Sequence, residues 1–158
     1  MRRFFRFAVT VLSTAVMALL VTSCGESKVV QCNKLIDVIN KGQALASAGI
    51  NGNDPVAMNQ LAANLDGLSQ EIKGVQVRDV KLQEFQANFA KTYQTLAQSS
   101  REIANAVTSL RQTPATGAGA AQAQQVQAKA QSATQTALKA AQEESKSVND
   151  LNAYCKAQ

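Results

Sequence analysis

The chain contains no histidine. That absence removes a large part of enzyme chemistry. Ser-His-Asp and Cys-His nucleophile arrangements cannot be assembled. An HExxH zinc site and a haem held by a histidine axial ligand are excluded for the same reason. No CxxC pair occurs either, so a cysteine-based metal site lacks its usual spacing. No GxxxxGK[ST] is present, and Gly42, Gly67 and Gly74 follow no strand pattern, so no phosphate-cradling loop is expected. Past residue 24 the aromatics are Phe85, Phe89, Tyr93 and Tyr154, too few for the ring platforms of a glycan-cleaving site. Glu143 and Glu144 are adjacent and do not share a helix face. Asp66 and Glu71 fall among polar positions. All four carboxylates are read as solvated. The expectation is a protein that is not an enzyme, with no catalytic residue, no metal and no cofactor.

The N-terminus carries an address. Arg2, Arg3 and Arg6 precede an apolar run of 15 residues, Phe7 to Val21. Such a run is shorter than the ~20 residues that span a bilayer as a helix. A positive start, a short apolar stretch and small residues describe a secretory signal. Val21-Thr22-Ser23-Cys24 resembles the lipobox of bacterial lipoproteins, with valine where leucine is commoner. The resemblance covers residues 1–24 alone. It implies removal of residues 1–23, acylation of Cys24 (diacylglycerol and palmitate-type chains) and attachment to a cell membrane or outer membrane, facing the periplasm or exterior. Gly25, where an enterobacterial retention signal has aspartate, favours the outer membrane. Residues 24–27 form a very short tether, which keeps the body at residues 28–158 near the surface.

The sequence has 16 basic and 11 acidic residues. Without Arg2, Arg3 and Arg6 the balance is 13 against 11, so the basic character gives no argument for nucleic acid. Cys32 and Cys155 remain near opposite ends of the mature chain. In an exported protein two such cysteines are expected to pair.

Apolar residues in the body recur at helical spacing throughout, and no strand pattern competes. A first helix is expected from about Lys28 to Ala48, with Cys32, Leu35, Ile36 and Ile39 on one face. Asp54 and Pro55 open a second, with a seam of Met58, Leu61, Leu65, Leu68, Ile72 and Val75. A third is expected from about Val80 to Arg111, with a seam of Leu82, Phe85, Phe89, Thr92, Leu96, Ser99, Ile103, Ala106 and Leu110. Thr113 to Gly119 reads as a linker. A fourth, rich in alanine and glutamine, runs from about Ala120 to Lys156, through Val126, Ala130, Ala133, Ala137, Ala141, Val148, Leu151 and Cys155.

The expected fold is an all-α, antiparallel four-helix bundle, up-down-up-down, with a longer second hairpin. Four helices bring Cys32 level with Cys155. At 1.5 Å per residue the last two helices overshoot the first two, leaving a two-helix tip around Ser99 to Ala130. Phe85, Phe89 and Tyr93 follow i, i+4, i+8. They read as a core stripe, with an apolar ligand pocket as the alternative. Tyr154 is expected to cover the disulfide or face the membrane. The Gln112, Gln122 and Gln125 region is a candidate partner surface. The functional expectation is a lipid-anchored binding, scaffold or accessory subunit with a protein partner. The alternatives are an apolar-ligand carrier or an extrinsic accessory subunit of a photosynthetic complex, whose small cyanobacterial lipoproteins this chain is similar to in size, anchor and helix count. A cell-wall-linked lipoprotein fits less well, because the chain ends Lys156-Ala157-Gln158 and not in lysine.

Overall fold

The computed structural model describes residues 26–47 and 53–157. The signal region, Cys24 and Gly25 lie outside them. Four α-helices account for almost all of the described chain, and no strand occurs among the described residues: α1 Lys28–Ser47, α2 Pro55–Gly74, α3 Val80–Gln112 and α4 Gly117–Lys156. None is long and apolar enough to cross a membrane.

Side-chain caps start the helices. An N-cap oxygen accepts from a backbone N–H that the first turn leaves unpaired. Ser27 accepts from Val30 at 3.3 Å, Asp54 from Val56 at 2.9 Å and Asp79 from Leu82 at 3.0 Å. Thr116 accepts from Gly119 at 3.1 Å. This last cap corrects the expected linker, which shrinks to residues 113–116 and leaves Gly117 and Gly119 inside α4. Glycine lowers helix propensity, but here it is required. A Cβ on Gly119 would stand 1.9 Å from the Pro114 carbonyl oxygen.

Neighbouring helices are tied by specific pairs. Ser69 of α2 donates to the Ala90 carbonyl of α3 at 2.8 Å. Gln86 donates to the Ile72 and Val75 carbonyls, satisfying the end of α2. Arg101 pairs with Asp66, and Arg111 reaches Asn53. Progress along α3 is therefore regress along α2. Likewise Tyr93 meets Glu144, and Tyr154 meets Asp79, across α3 and α4.

The Arg111–Asn53 contact shortens the expected overshoot. The start of α2 lies alongside the last turns of α3, so Ser99 is not part of a free tip; it is buried, as are Ser100, Ala104 and Ala106. Only α1 stops well short, five residues after Gly42, which touches Tyr93.

The core holds Cys32, Leu35, Ile39, Leu65, Leu68, Ile72, Leu82, Phe89 and Leu151, with Ala97 as its last member on α3. Full burial of one large apolar side chain contributes about 1.5–3 kcal/mol. Beyond Ala97 the buried residues of α3 are serines and alanines, with Met58 of α2 the large buried side chain toward that end.

Two seams drift from strict heptads. On α3 the buried positions are Leu82, Phe85, Phe89, Ala90, Tyr93, Ala97, Ser99, Ser100, Ala104 and Ala106, which keeps Ser99 and Ala106 of the expected seam. Thr92, Leu96 and Ile103 flank them half-buried and Leu110 is exposed. A straight α-helix has 3.6 residues per turn and rotates away from a seven-residue repeat. Packed between α2 and α4, α3 buries a broad face. On α4, Ala140 is buried and Ala141 exposed, and the next inward position is Glu144.

Two glycines give opposite tests. A Cβ on Gly42 would lie 2.1 Å from the Tyr93 hydroxyl oxygen, whereas one on Gly67 meets nothing within 4 Å. Gly67→Ala is expected to stabilise by up to ~1 kcal/mol through helix propensity. Gly42→Ala is expected to destabilise by about 1–3 kcal/mol through overpacking, despite the same propensity gain. Urea denaturation of the two variants checks the difference in sign.

Candidate functional site

The start of α1, the α2–α3 connection and the end of α4 meet at one end of the molecule. Gln31 is buried, and its side-chain oxygen accepts from the backbone N–H of Arg78 at 2.5 Å and Asp79 at 3.1 Å. Its amide donates to the Glu26 carbonyl at 2.8 Å. One neutral side chain thus satisfies three backbone groups that no helix pairs. Cys32 and Cys155 are joined beside it, with Cα atoms 5.9 Å apart.

Tyr154 completes the junction. Its hydroxyl donates to the Asp79 carboxylate, 2.9 Å from either oxygen. Its ring stands 6.0 Å from that of Phe85, and the Lys28 ammonium lies 3.6 Å from its centroid. Cation–π and offset aromatic contacts each add on the order of 1 kcal/mol. Tyr154 is therefore directed at the start of α3, next to Cys155. The Leu82 N–H holds the Asp79 carboxyl below its ordinary value, helped by Tyr154 and opposed by desolvation. Burial and the Asp79 carboxylate raise the Tyr154 hydroxyl above its ordinary value.

Tyr93 makes the second polar contact of the interior. It donates to Glu144 at 2.9 Å, with the Ile39 carbonyl 3.4 Å away. Burial first, then the Glu144 charge, pushes its hydroxyl far above the ordinary value of 10.0. Glu144 is thus not the solvated carboxylate expected of it. Asp66 and Glu71 are likewise not merely solvated: they pair with Arg101 and Lys41. Glu143 is exposed in an open groove with Lys91, Lys146 and Asp150.

Phe85, Phe89 and Tyr93 come together in the core, 8%, 0% and 2% exposed. None of the described grooves is lined by them. The stripe is part of the core. Gln112 ends α3, and Gln122 and Gln125 lie in the first turns of α4; all three are exposed. Two grooves flank this region. One is lined by Ala106, Val126 and Lys129, the other by Leu110, Ala130 and Gln135 among others. No group of three or more metal-ligating side chains occurs among the described residues.

Sequence reasoning missed Gln31 and the Asp79–Tyr154 and Tyr93–Glu144 pairs. Asp79, directly before Val80, carried the same capping signal as Asp54. Glu144 sat in the gap between Ala141 and Val148 of the expected seam.

No family model, curated protein or solved structure matches the chain.

Two tests follow from the junction. The Asp79 carboxyl ionises more readily when folded, so its contribution is complete above its ordinary value of 3.8 and is lost as pH falls through the lower folded value. Asp79→Ala is expected to cost about 0.5–2 kcal/mol at neutral pH. Asp79→Asn keeps the cap but loses the carboxylate, so its stability is expected to fall less than that of the parent as pH drops below 3.8, read by thermal melts.

The crosslink spans 123 positions. Its reduction is expected to cost ~4–5 kcal/mol in the chain-entropy model. Denaturant midpoints with and without dithiothreitol measure this.

Proposed function

We propose that the chain is a lipid-anchored, non-enzymatic helical module of a bacterial cell envelope, attached through Cys24 and acting as an accessory or scaffold subunit for a protein partner. The observation that carries this reading is Val21-Thr22-Ser23-Cys24 at the end of a short apolar run with a basic start. Pairing of Cys32 with Cys155 suits an oxidising compartment outside the cytoplasm. The interior ionisable groups, Glu144 and Asp79, are engaged in capping and helix–helix hydrogen bonds, not aimed into a cleft. The exposed amides of Gln112, Gln122 and Gln125, with the grooves beside them, offer a surface for a partner. An apolar-ligand carrier has less support, because Phe85, Phe89 and Tyr93 are buried and line none of the described grooves. No observation favours a photosynthetic complex over other envelope partners.

Mass spectrometry of the mature protein is expected to find an N-terminal Cys24 carrying a diacylglycerol, and Cys24→Ser is expected to leave the signal uncleaved. Photoreactive residues at Gln112 and Gln125 in intact cells are expected to give one dominant crosslinked partner. Scattered products of abundant neighbours would argue against docking at that tip.

A further inference from the structure

The end of the bundle nearest Cys24 has a surface unlike the rest. Among the described residues six large apolar side chains are exposed, and three of them, Val29, Val30 and Val80, lie here at 48%, 42% and 70%. Val29 and Val30 occupy the first turn of α1, and Val80 opens α3. The Gln31 bridge to Arg78 and Asp79 holds these two helix starts side by side. None of the three valines belongs to the core.

The charge there is unbalanced in function as well as in number. Glu26 and Glu84 are already paired, with Lys34 and Lys81. Asp79 caps α3 and accepts from Tyr154. Arg78 and Lys156 are exposed and have no acidic partner among the described residues, and the same holds for Lys73 in the last turn of α2. Exposed aliphatic side chains ringed by unpaired cations are the chemistry of an interfacial surface that enters the headgroup layer of an anionic bilayer. Lysine and arginine stems lie along the boundary while their charges meet phosphate.

The chain length outside the described residues agrees. Cys24 is four residues before Lys28, at most about 14 Å of extended backbone. A diacylglycerol on Cys24 leaves this end, and not the Gln112–Gln125 end, within reach of the bilayer.

The geometry points to a second, non-covalent membrane contact: the base formed by Val29, Val30, Val80, Arg78 and Lys156 docks on anionic phospholipid and stands the bundle upright. This rests on the lipid-anchored reading for its reach, although the surface itself does not depend on the lipid.

The test uses the full lipidated protein in vesicles of phosphatidylcholine and phosphatidylglycerol with brominated acyl chains, with an environment-sensitive fluorescent amino acid in place of Val80 or Gln125. Quenching is expected at position 80 and not at 125. It is expected to weaken in high salt or in phosphatidylcholine alone. Arg78→Gln and Lys156→Gln, both exposed and structurally idle, are expected to lower the docked population about fivefold each, the factor that ~1 kcal/mol per basic residue gives. Lipid present on Cys24 with no quenching at position 80, or equal quenching at both positions, overturns the docked base and leaves the anchored reading intact. A chain with no lipid on Cys24 overturns the anchored reading. The base is then decided by whether the position-80 probe responds when the same vesicles are added.

Discussion

The first helix depends on two local devices. Twenty residues of α1 bury one stripe, Cys32, Leu35, Val38 and Ile39, and the helix stops well before α3 and α4 do. A helix of that length is marginal without tertiary packing. The cystine to Cys155 fixes its start against the end of α4, so the two chain ends cannot separate. The Gly42 notch, into which the Tyr93 hydroxyl fits, fixes its axial position five residues before its end. A crosslink alone leaves a helix free to pivot, and a notch alone leaves its end free to fray. Together they define one placement, and the Tyr93–Glu144 hydrogen bond carries that placement through to α4.

Around this lock the packing is graded. Leucine, isoleucine and phenylalanine fill the half near the cystine. Beyond Ala97 the buried residues of α3 are alanines and serines, and Met58 of α2 is the large side chain buried toward that end. Apolar stabilisation scales with buried area, so the two halves differ in local stability although the helices run unbroken through both. Alanine and glutamine keep the far half of α4 helical through propensity, not burial. That half is therefore the part of the structure able to repack against something else at low cost, and the half at the junction is the part that holds its shape.

Most of the architecture was legible because helical periodicity survives local exceptions. The start of α2 follows from Asp54-Pro55, and the seam of α2 holds with Leu61 and Val75 at its half-buried margins. The exceptions have physical causes. The linker after α3 was overestimated because glycine was read as a breaker, while Gly119 is there for contact with Pro114. Gly42, which carries no signal of its own in the sequence, makes room for a ring that is distant in sequence. Glu144 was assigned to solvent because a carboxylate in a seam is unfavourable without a donor, and the donor, Tyr93, lies 51 positions away. The Tyr154–Asp79 pair spans 75 positions. Such partners follow from the fold and have no local signature.

The same comparison bears on how function divides along the molecule. At the junction, Gln31, Asp79 and Tyr154 are turned inward on backbone groups and on each other, which leaves the outer surface to aliphatic side chains and cations. At the opposite end no comparable network occurs among the described residues, and Gln112, Gln122 and Gln125 are exposed beside shallow grooves. A chain tethered by a few residues at Cys24 must present one end to its anchor and the other away from it. On the proposed reading the polarity is built in at three levels at once. The tether lies next to the rigid half, the rigid half carries the membrane-compatible surface, and the adaptable half is carried tens of ångströms outward by α3 and α4, at ~1.5 Å for each residue of their length. A bundle of four equal helices with an even core would supply the reach without the division of labour. The unequal lengths and the graded core are what separate the two roles.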